Sequence, residues 1–234
     1  MRRIEKQVDL NWALAVALRA AEEACAVLAA GQRKLDELRI TTKSPGDIST
    51  DIDQRAEEVI SKRLRDAFPE HSFTGEEGGT IEGSSCHWIV DPLDGSLNYA
   101  HGFPFYAVTL SLVVEGTVVL GVTADPVRNE TFWAGLGQGA YRNGKRISVS
   151  TASALPEAMV GTVVPPPGWP GQKLYLEKFC RVAGQVGGIR RCGAAALDLA
   201  YVASGRLDGF FVESLKPWDI AAGMLLVTEA GGMV

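Results

Sequence analysis

The sequence predicts two unlike halves: an α+β half over residues 1–148 and a mixed α/β half over residues 149–234. Three observations carry that prediction. Helical spacing opens the chain, β-rich runs joined by tight turns fill residues 108–149, and strands alternate with helices after about residue 150. With 234 residues the chain is long enough to bury a sizeable core.

Leu10, Leu14, Ala17, Leu18, Ala21, Cys25 and Leu28 recur at helical spacing, so residues 5–30 read as an amphipathic helix closed by Gly31. A polar stretch through Ser44-Pro45-Gly46 follows, then a second helix from about Asp53 to Ala67, which Pro69 stops. Trp88-Ile89-Val90 reads as a short buried strand ending at Asp91-Pro92. Val108 to Val114 and Thr117 to Thr123 flank Glu115-Gly116, the signal of a tight antiparallel hairpin. Thr131-Phe132-Trp133 and Ile147-Ser148-Val149 extend the strand-rich part.

The second half predicts a strand from Met159 to Val164, the breaker Pro165-Pro166-Pro167-Gly168, and a helix from Gln172 to Ala183. A strand from Gly187 to Arg191, a helix from Ala194 to Ala203 closed by Gly205, and a strand from Leu207 to Glu213 come next. Ile220 to Ala230 reads as a final helix closed by Gly231-Gly232. Met233-Val234 has the character of a strand just starting, so an open edge of the α/β sheet is expected.

Composition excludes several classes of function. A hydrophobic content of 46% with 22% charged residues belongs to an ordinary globular chain. The net charge of −5 argues against a general nucleic-acid or anionic-membrane binder, which needs a basic surface. Cys25, Cys86, Cys180 and Cys192 lie far apart, and His71, His87 and His101 lack ligand spacing, so a zinc site is not expected. No disulfide framework is visible, which fits a reducing cytoplasm, and Cys25 reads as a core residue. Met1-Arg2-Arg3 before the apolar run Leu10 to Leu18 imitates a secretory leader, but Glu5 and Asp9 interrupt it, and no cleaved signal is expected. No apolar run reaches the length of a membrane span.

The residues that bear chemistry fall in four groups. In Trp88-Ile89-Val90-Asp91-Pro92-Leu93-Asp94-Gly95-Ser96 a hydrophobic strand ends at one carboxylate and a second follows three positions on. Pro92 removes a backbone donor and Gly95 permits a sharp turn, so both acids can converge at the strand's carboxyl end. Ser96 can cap a short helix whose free N–H groups suit an anion such as phosphate. Gly75-Glu76-Glu77-Gly78-Gly79, Pro217-Trp218-Asp219 and Asp47-Ile48-Ser49-Thr50-Asp51-Ile52-Asp53 are the others. Taken singly, each is equally a solvated turn or a helix cap, with Asp53 and Asp219 as caps.

In this order the four groups closely resemble the inositol monophosphatase family of metal-dependent phosphomonoesterases. The resemblance runs from about Thr41 to Gly232 and includes Asn98, Phe103-Pro104-Phe105 and Thr228-Glu229-Ala230-Gly231-Gly232. It implies the layered α-β-α-β-α architecture of the sugar phosphatases. By the same resemblance two or three magnesium ions bind, one through Glu76, Asp91 and the Leu93 carbonyl and a second through Asp91, Asp94 and Asp219. Converging carboxylates repel one another, and hard oxygen-binding cations relieve that repulsion, which agrees with the assignment.

The resemblance further implies that Asp53 binds the hydroxyl of Ser96 and that this pair, with Glu76, orients the attacking water. Serine stands here where the family motif usually has threonine; the hydroxyl survives, with a freer rotamer. The N–H groups of Gly95 and Ser96 would hold the phosphate, while Asp94, Ala194, Ala195, Glu213 and Asp219 would line the substrate. A carboxylate such as Glu213 suits the vicinal hydroxyls of a polyol, although it is also readable as a surface acid at a strand end. Glu77, Arg190 and Arg191 stay unassigned.

The expected function is magnesium-dependent hydrolysis of myo-inositol monophosphate or a similar small polyol phosphate, by a lithium-sensitive cytoplasmic homodimer without nucleic-acid or membrane partners. Fructose-1,6-bisphosphatase, histidinol-phosphate and 3′-phosphoadenosine phosphatase activities remain open within the resemblance, as does a regulatory protein-binding role.

Overall fold

The computed structural model describes residues 8–44, 46–166 and 168–234. Helix α1 (Leu10–Gly31) begins where Asp9 Oδ1 accepts from the N–H groups of Asn11, at 2.9 Å, and Trp12, at 3.2 Å. The expected start at residue 5 and the Met1-Arg2-Arg3 segment lie outside the described residues, as do Pro45 and Pro167. A buried stripe of Ala13, Ala17, Ala20, Ala21 and Ala24 lets α1 lie close to its neighbours. The polar stretch after it folds as a hairpin of β1 (Ile40–Ser44) and β2 (Asp47–Thr50). Helix α2 (Asp51–Ala67) then buries Ile52, Ala56, Ile60 and Leu64 at helical spacing.

An eight-stranded sheet follows. Its strands are β3 (Ser72–Gly75), β4 (Gly79–Ile81), β5 (Cys86–Asp94), β6 (Ala107–Val114), β7 (Thr117–Asp125), β8 (Glu130–Gly135), β9 (Gly139–Arg142) and β10 (Lys145–Ile147), with α3 (Ser96–Ala100) between β5 and β6. They lie in the order β10-β9-β8-β7-β6-β5-β3-β4, antiparallel throughout except for the parallel pair β3 and β5. Glu115 and Gly116 both take positive φ, 50° and 79°, which gives the β6–β7 turn the twist that a two-residue hairpin requires. Strand β5 runs beyond its expected end at Val90, and its register with β6 shifts between Asp91 and Asp94. Pro92 cannot donate to the ladder there, so the strand bulges, and both acids stand at the carboxyl end of this interior strand.

The second half contributes β11 (Met159–Thr162), α4 (Gln172–Ala183), β12 (Gly188–Arg190), α5 (Ala195–Ala203), β13 (Gly209–Phe211) and α6 (Pro217–Glu229). Its three strands pair in parallel in the order β12-β11-β13. Helices α1 and α2 cover one face of the large sheet, and α6 covers the other with α5 packed against it. Helix α5 also meets β11 and β13, and α4 closes that small sheet by inserting Tyr175 against Phe211 and Thr162. The layers therefore run α-β-α-β-α.

Phe132, Ala134 and Ala140 of the large sheet share one core with Leu199, Ala203, Leu226 and Val227 of the second half. Cys25 is half-buried against the first core, and burial, first, with the Asp125 and Glu22 charges pushes its thiol up to about 12. Among the described residues no helix is long and apolar enough to cross a membrane.

Candidate active site

The acids singled out in the sequence meet where β5, α2, the β3–β4 loop and the starts of α3, α5 and α6 come together. Helix α2 supplies Asp53, which stands at the third helical position rather than at the cap. Thr50 is the cap, and its N–H and hydroxyl both donate to Asp53 Oδ2, at 2.9 and 2.5 Å. Ser96 Oγ stands 2.8 Å from Asp53 Oδ1 and 2.9 Å from the Leu93 carbonyl. One hydroxyl proton thus faces two acceptors. Burial, first, raises the Asp53 carboxyl to about 6, against the hydrogen bonds from Thr50 and Ser96 that favour its charge.

Strand β5 delivers Asp91, 2% exposed, whose Oδ1 accepts from the Leu93 N–H at 2.9 Å. Burial, then the charges of Glu76, Asp94 and Asp219, hold its carboxyl well above the usual range. Asp94 Oδ2 accepts from the Ala196 N–H at 2.6 Å, at the positive end of α5. Its carboxyl is also held high, by burial and then by the Asp219 charge. Asp219 stands at the third position of α6, and its Oδ2 accepts from the Lys216 N–H at 2.8 Å; Lys216, not Asp219, is the cap.

Glu76 and Glu77 share one cation. Lys43 Nζ, from the β1–β2 hairpin, lies 2.9 Å from Glu76 Oε1 and 2.6 Å from Glu77 Oε1, and Ser49 donates to Glu77 Oε2 at 2.7 Å. Burial lowers the Lys43 ammonium, and the hydrogen bonds to Glu77 and Glu76 outweigh it, so the group stays charged. Nothing in the sequence pointed to Lys43. Glu57, also missed, is 5% exposed, and its oxygens accept from the N–H groups of Glu77 and Gly78 at 2.8 and 2.6 Å. Its signal was a carboxylate one turn beyond Asp53, set among Ile52, Ala56 and Ile60.

The turn after β5 is held against the second half. Gly95 takes φ +94°, and a side chain there would crowd the Phe105 and Gly193 carbonyls and Ala194 Cβ at 3.1–3.2 Å. Asn98 Nδ2 donates to the carbonyls of Phe105 and Cys192 at 2.7 and 2.8 Å, tying the turn to the strap that leads into α5. Ser96 is the first residue of α3, and Gly95 is its cap. Ala194 and Ala195 open α5 beside Gly95. Glu213 lies beyond β13 and is ion-paired with Lys178 of α4. Arg190 Nη1 turns to the Ile189 carbonyl, and Arg191 approaches Gly193.

Among the described residues no three His, Cys, Asp or Glu side chains form a ready-made cage for one ion. Glu76 is turned to Lys43, Asp94 to α5 and Asp219 to the start of α6. The donor chemistry nonetheless suits a hard divalent cation. The donors are all oxygen, and the charges acting on buried Asp91 come from three other acids, a repulsion that a cation removes.

The layered architecture, with acids gathered at the end of a bulged central strand, defines a sugar-phosphatase-type fold of phosphomonoester hydrolases. The chain belongs to the inositol monophosphatase family, whose pattern it matches over residues 9–234. It is 43% identical to the inositol-1-monophosphatase of Rhizobium meliloti over 85% of this chain and 76% of that protein. It is 45% identical to the Nus factor SuhB of Pseudomonas aeruginosa over 94% of this chain and 84% of that protein. Among solved structures, the extragenic suppressor protein SuhB of Bartonella henselae superposes with a TM-score of 0.91 at 41% identity, over 94% of this chain and 85% of that one. The inositol monophosphatase of Anabaena gives 0.82 at 35% identity, over 96% and 83%.

Proposed function

We propose that this chain hydrolyses a small polyol phosphate monoester, myo-inositol monophosphate before others, with magnesium held at the acidic cluster. The observation that carries this reading is the Ser96 hydroxyl poised between Asp53 and the Leu93 carbonyl, beside carboxylates too crowded to be charged together unaided. Glu76, Asp91 and the Leu93 carbonyl would hold one ion, and Asp91, Asp94 and Asp219 a second. Bound there, magnesium supplies Lewis acidity that lowers the pKa of water and steadies a leaving oxygen.

The protein's own residues do the rest. An ionised Asp53 draws the Ser96 proton toward itself and away from the Leu93 carbonyl, which leaves that carbonyl to a cation. The Ser96 oxygen then presents its lone pairs to a water, which Glu76 orients from the other side. The N–H groups of Gly95 and Ser96 take the phosphate oxygens, and Ala194 and Ala195 form the wall on which the polyol rests. For Glu213 to accept polyol hydroxyls it must give up Lys178.

Lithium sensitivity, a homodimer and a cytoplasmic setting belong to the same reading. Phosphate release from inositol monophosphate, fructose 1,6-bisphosphate, histidinol phosphate and 3′-phosphoadenosine nucleotide, with lithium and potassium arms, tests it. Preference for the inositol ester and selective loss with lithium support it; a strong preference for another ester overturns the substrate assignment. One observation favours a second reading, a role through a protein partner: relatives at 40–45% identity carry the name Nus factor.

A further inference from the structure

We infer that Glu57 is a positioning residue that aims Glu76 and Glu77 at the cation site, an inference that rests on the metal reading above. Glu57 sits on the buried face of α2, one turn after Asp53, and is 5% exposed. A carboxylate so buried must find donors. It finds two consecutive backbone N–H groups, Glu77 at 2.8 Å to Oε2 and Gly78 at 2.6 Å to Oε1. The preceding N–H, of Glu76, donates to the Val90 carbonyl at 3.2 Å. Three successive amides are thereby fixed, and the side chains of Glu76 and Glu77 project from a pinned backbone.

The glycines of the loop fit this role. A Cβ on Gly75 would overlap the Glu57 carboxylate, and one on Gly78 would lie 2.6 Å from Oε1. The loop is cut to admit a carboxylate, which two neighbouring acids would otherwise repel. Glu76 and Glu77 repel each other as well, and a loop free to move would let them splay into solvent. Holding the backbone keeps both within reach of a cation before one arrives.

The test is magnesium binding by calorimetry, together with steady-state kinetics against magnesium. Glu57→Gln keeps the shape but sets an amide N–H against one of the two backbone donors. Gly78→Ala, at an exposed loop position, pushes the same contact apart without changing the sequence of α2. Each variant should weaken magnesium binding by roughly 10- to 100-fold, the usual effect of losing a partner that orients a ligand. Turnover at saturating magnesium should fall less than affinity, and the double variant should be no worse than the poorer single one. Wild-type affinity in both folded variants overturns the inference alone. Wild-type protein that binds no magnesium overturns the metal reading and the inference with it. Should Glu57→Gln fail to fold, Gly78→Ala decides.

Discussion

The hydroxyl of Ser96 stands 2.8 Å from Oδ1 of Asp53, 43 residues away in the chain. The contact joins the first turn of α2 to the turn after β5, so the two elements that would place a water are locked by one hydrogen bond. Each partner is also anchored locally: Asp53 Oδ2 closes the capping box with Thr50, which leaves Oδ1 for Ser96, and Ser96 Oγ also lies against the Leu93 carbonyl.

Ser96→Ala should therefore cost turnover by about 100-fold, the usual worth of proton-transfer assistance, with little change in KM. Ser96→Thr should be tolerated, because the hydroxyl returns with a stiffer rotamer. Steady-state kinetics of the two variants check this; an alanine variant with unchanged turnover reduces Ser96 to a structural link.

Lys43 competes with any cation for Glu76, whose Oε1 it holds at 2.9 Å. Replacing it with methionine removes the competitor and leaves two acids repelling each other. Lys43→Met should tighten magnesium binding by roughly three- to tenfold, as for deleting a half-screened charge worth on the order of 1 kcal/mol. Weaker binding by calorimetry would mean that Lys43 organises Glu76 and Glu77 rather than blocking them.

Asp198 of α5 is wholly buried, and among the described residues neither of its oxygens has a hydrogen-bond partner. Burial, first, pushes its carboxyl up from 3.8 to about 7, against weaker help from Cys192 and Arg191. The native state therefore binds the proton more tightly than the unfolded chain, and stability is lost as pH rises from about 4 to about 7. Asp198→Asn should match wild type near pH 4 and exceed it at pH 8 by up to about 4 kcal/mol. Denaturant unfolding across that range reads it; an asparagine variant less stable at pH 8 shows that the anion is sheltered after all.

What the sequence made legible follows from how locally each feature is encoded. Asp91-Pro92-Leu93-Asp94-Gly95-Ser96 announces its bulge because Pro92 and Gly95 each dictate backbone geometry. Glu115-Gly116 fixes a hairpin, and Gln172–Ala183 was readable at both ends from its breakers. The β1–β2 hairpin was illegible because every residue of Ile40–Ser44 is exposed, leaving no alternation to read. Strands β3, β4 and β9 are three or four residues long, too short for a period. Asp53 and Asp219 looked like caps and proved to be third-position acids, because local sequence does not separate the two. Glu57 and Lys43 reach the site only through contacts 20 and more residues apart.

The central claim is that the acids around Asp91 hold magnesium for phosphate-ester hydrolysis. The most direct measurement is phosphate release from myo-inositol 1-phosphate by metal-stripped protein as magnesium is added, wild type beside Asp91→Asn. Release should be absent without metal and rise with magnesium in the wild type. The folded Asp91→Asn protein should stay at background and, relieved of a crowded charge, melt higher without metal. Equal release in chelator, or near-wild-type release by Asp91→Asn, would contradict it.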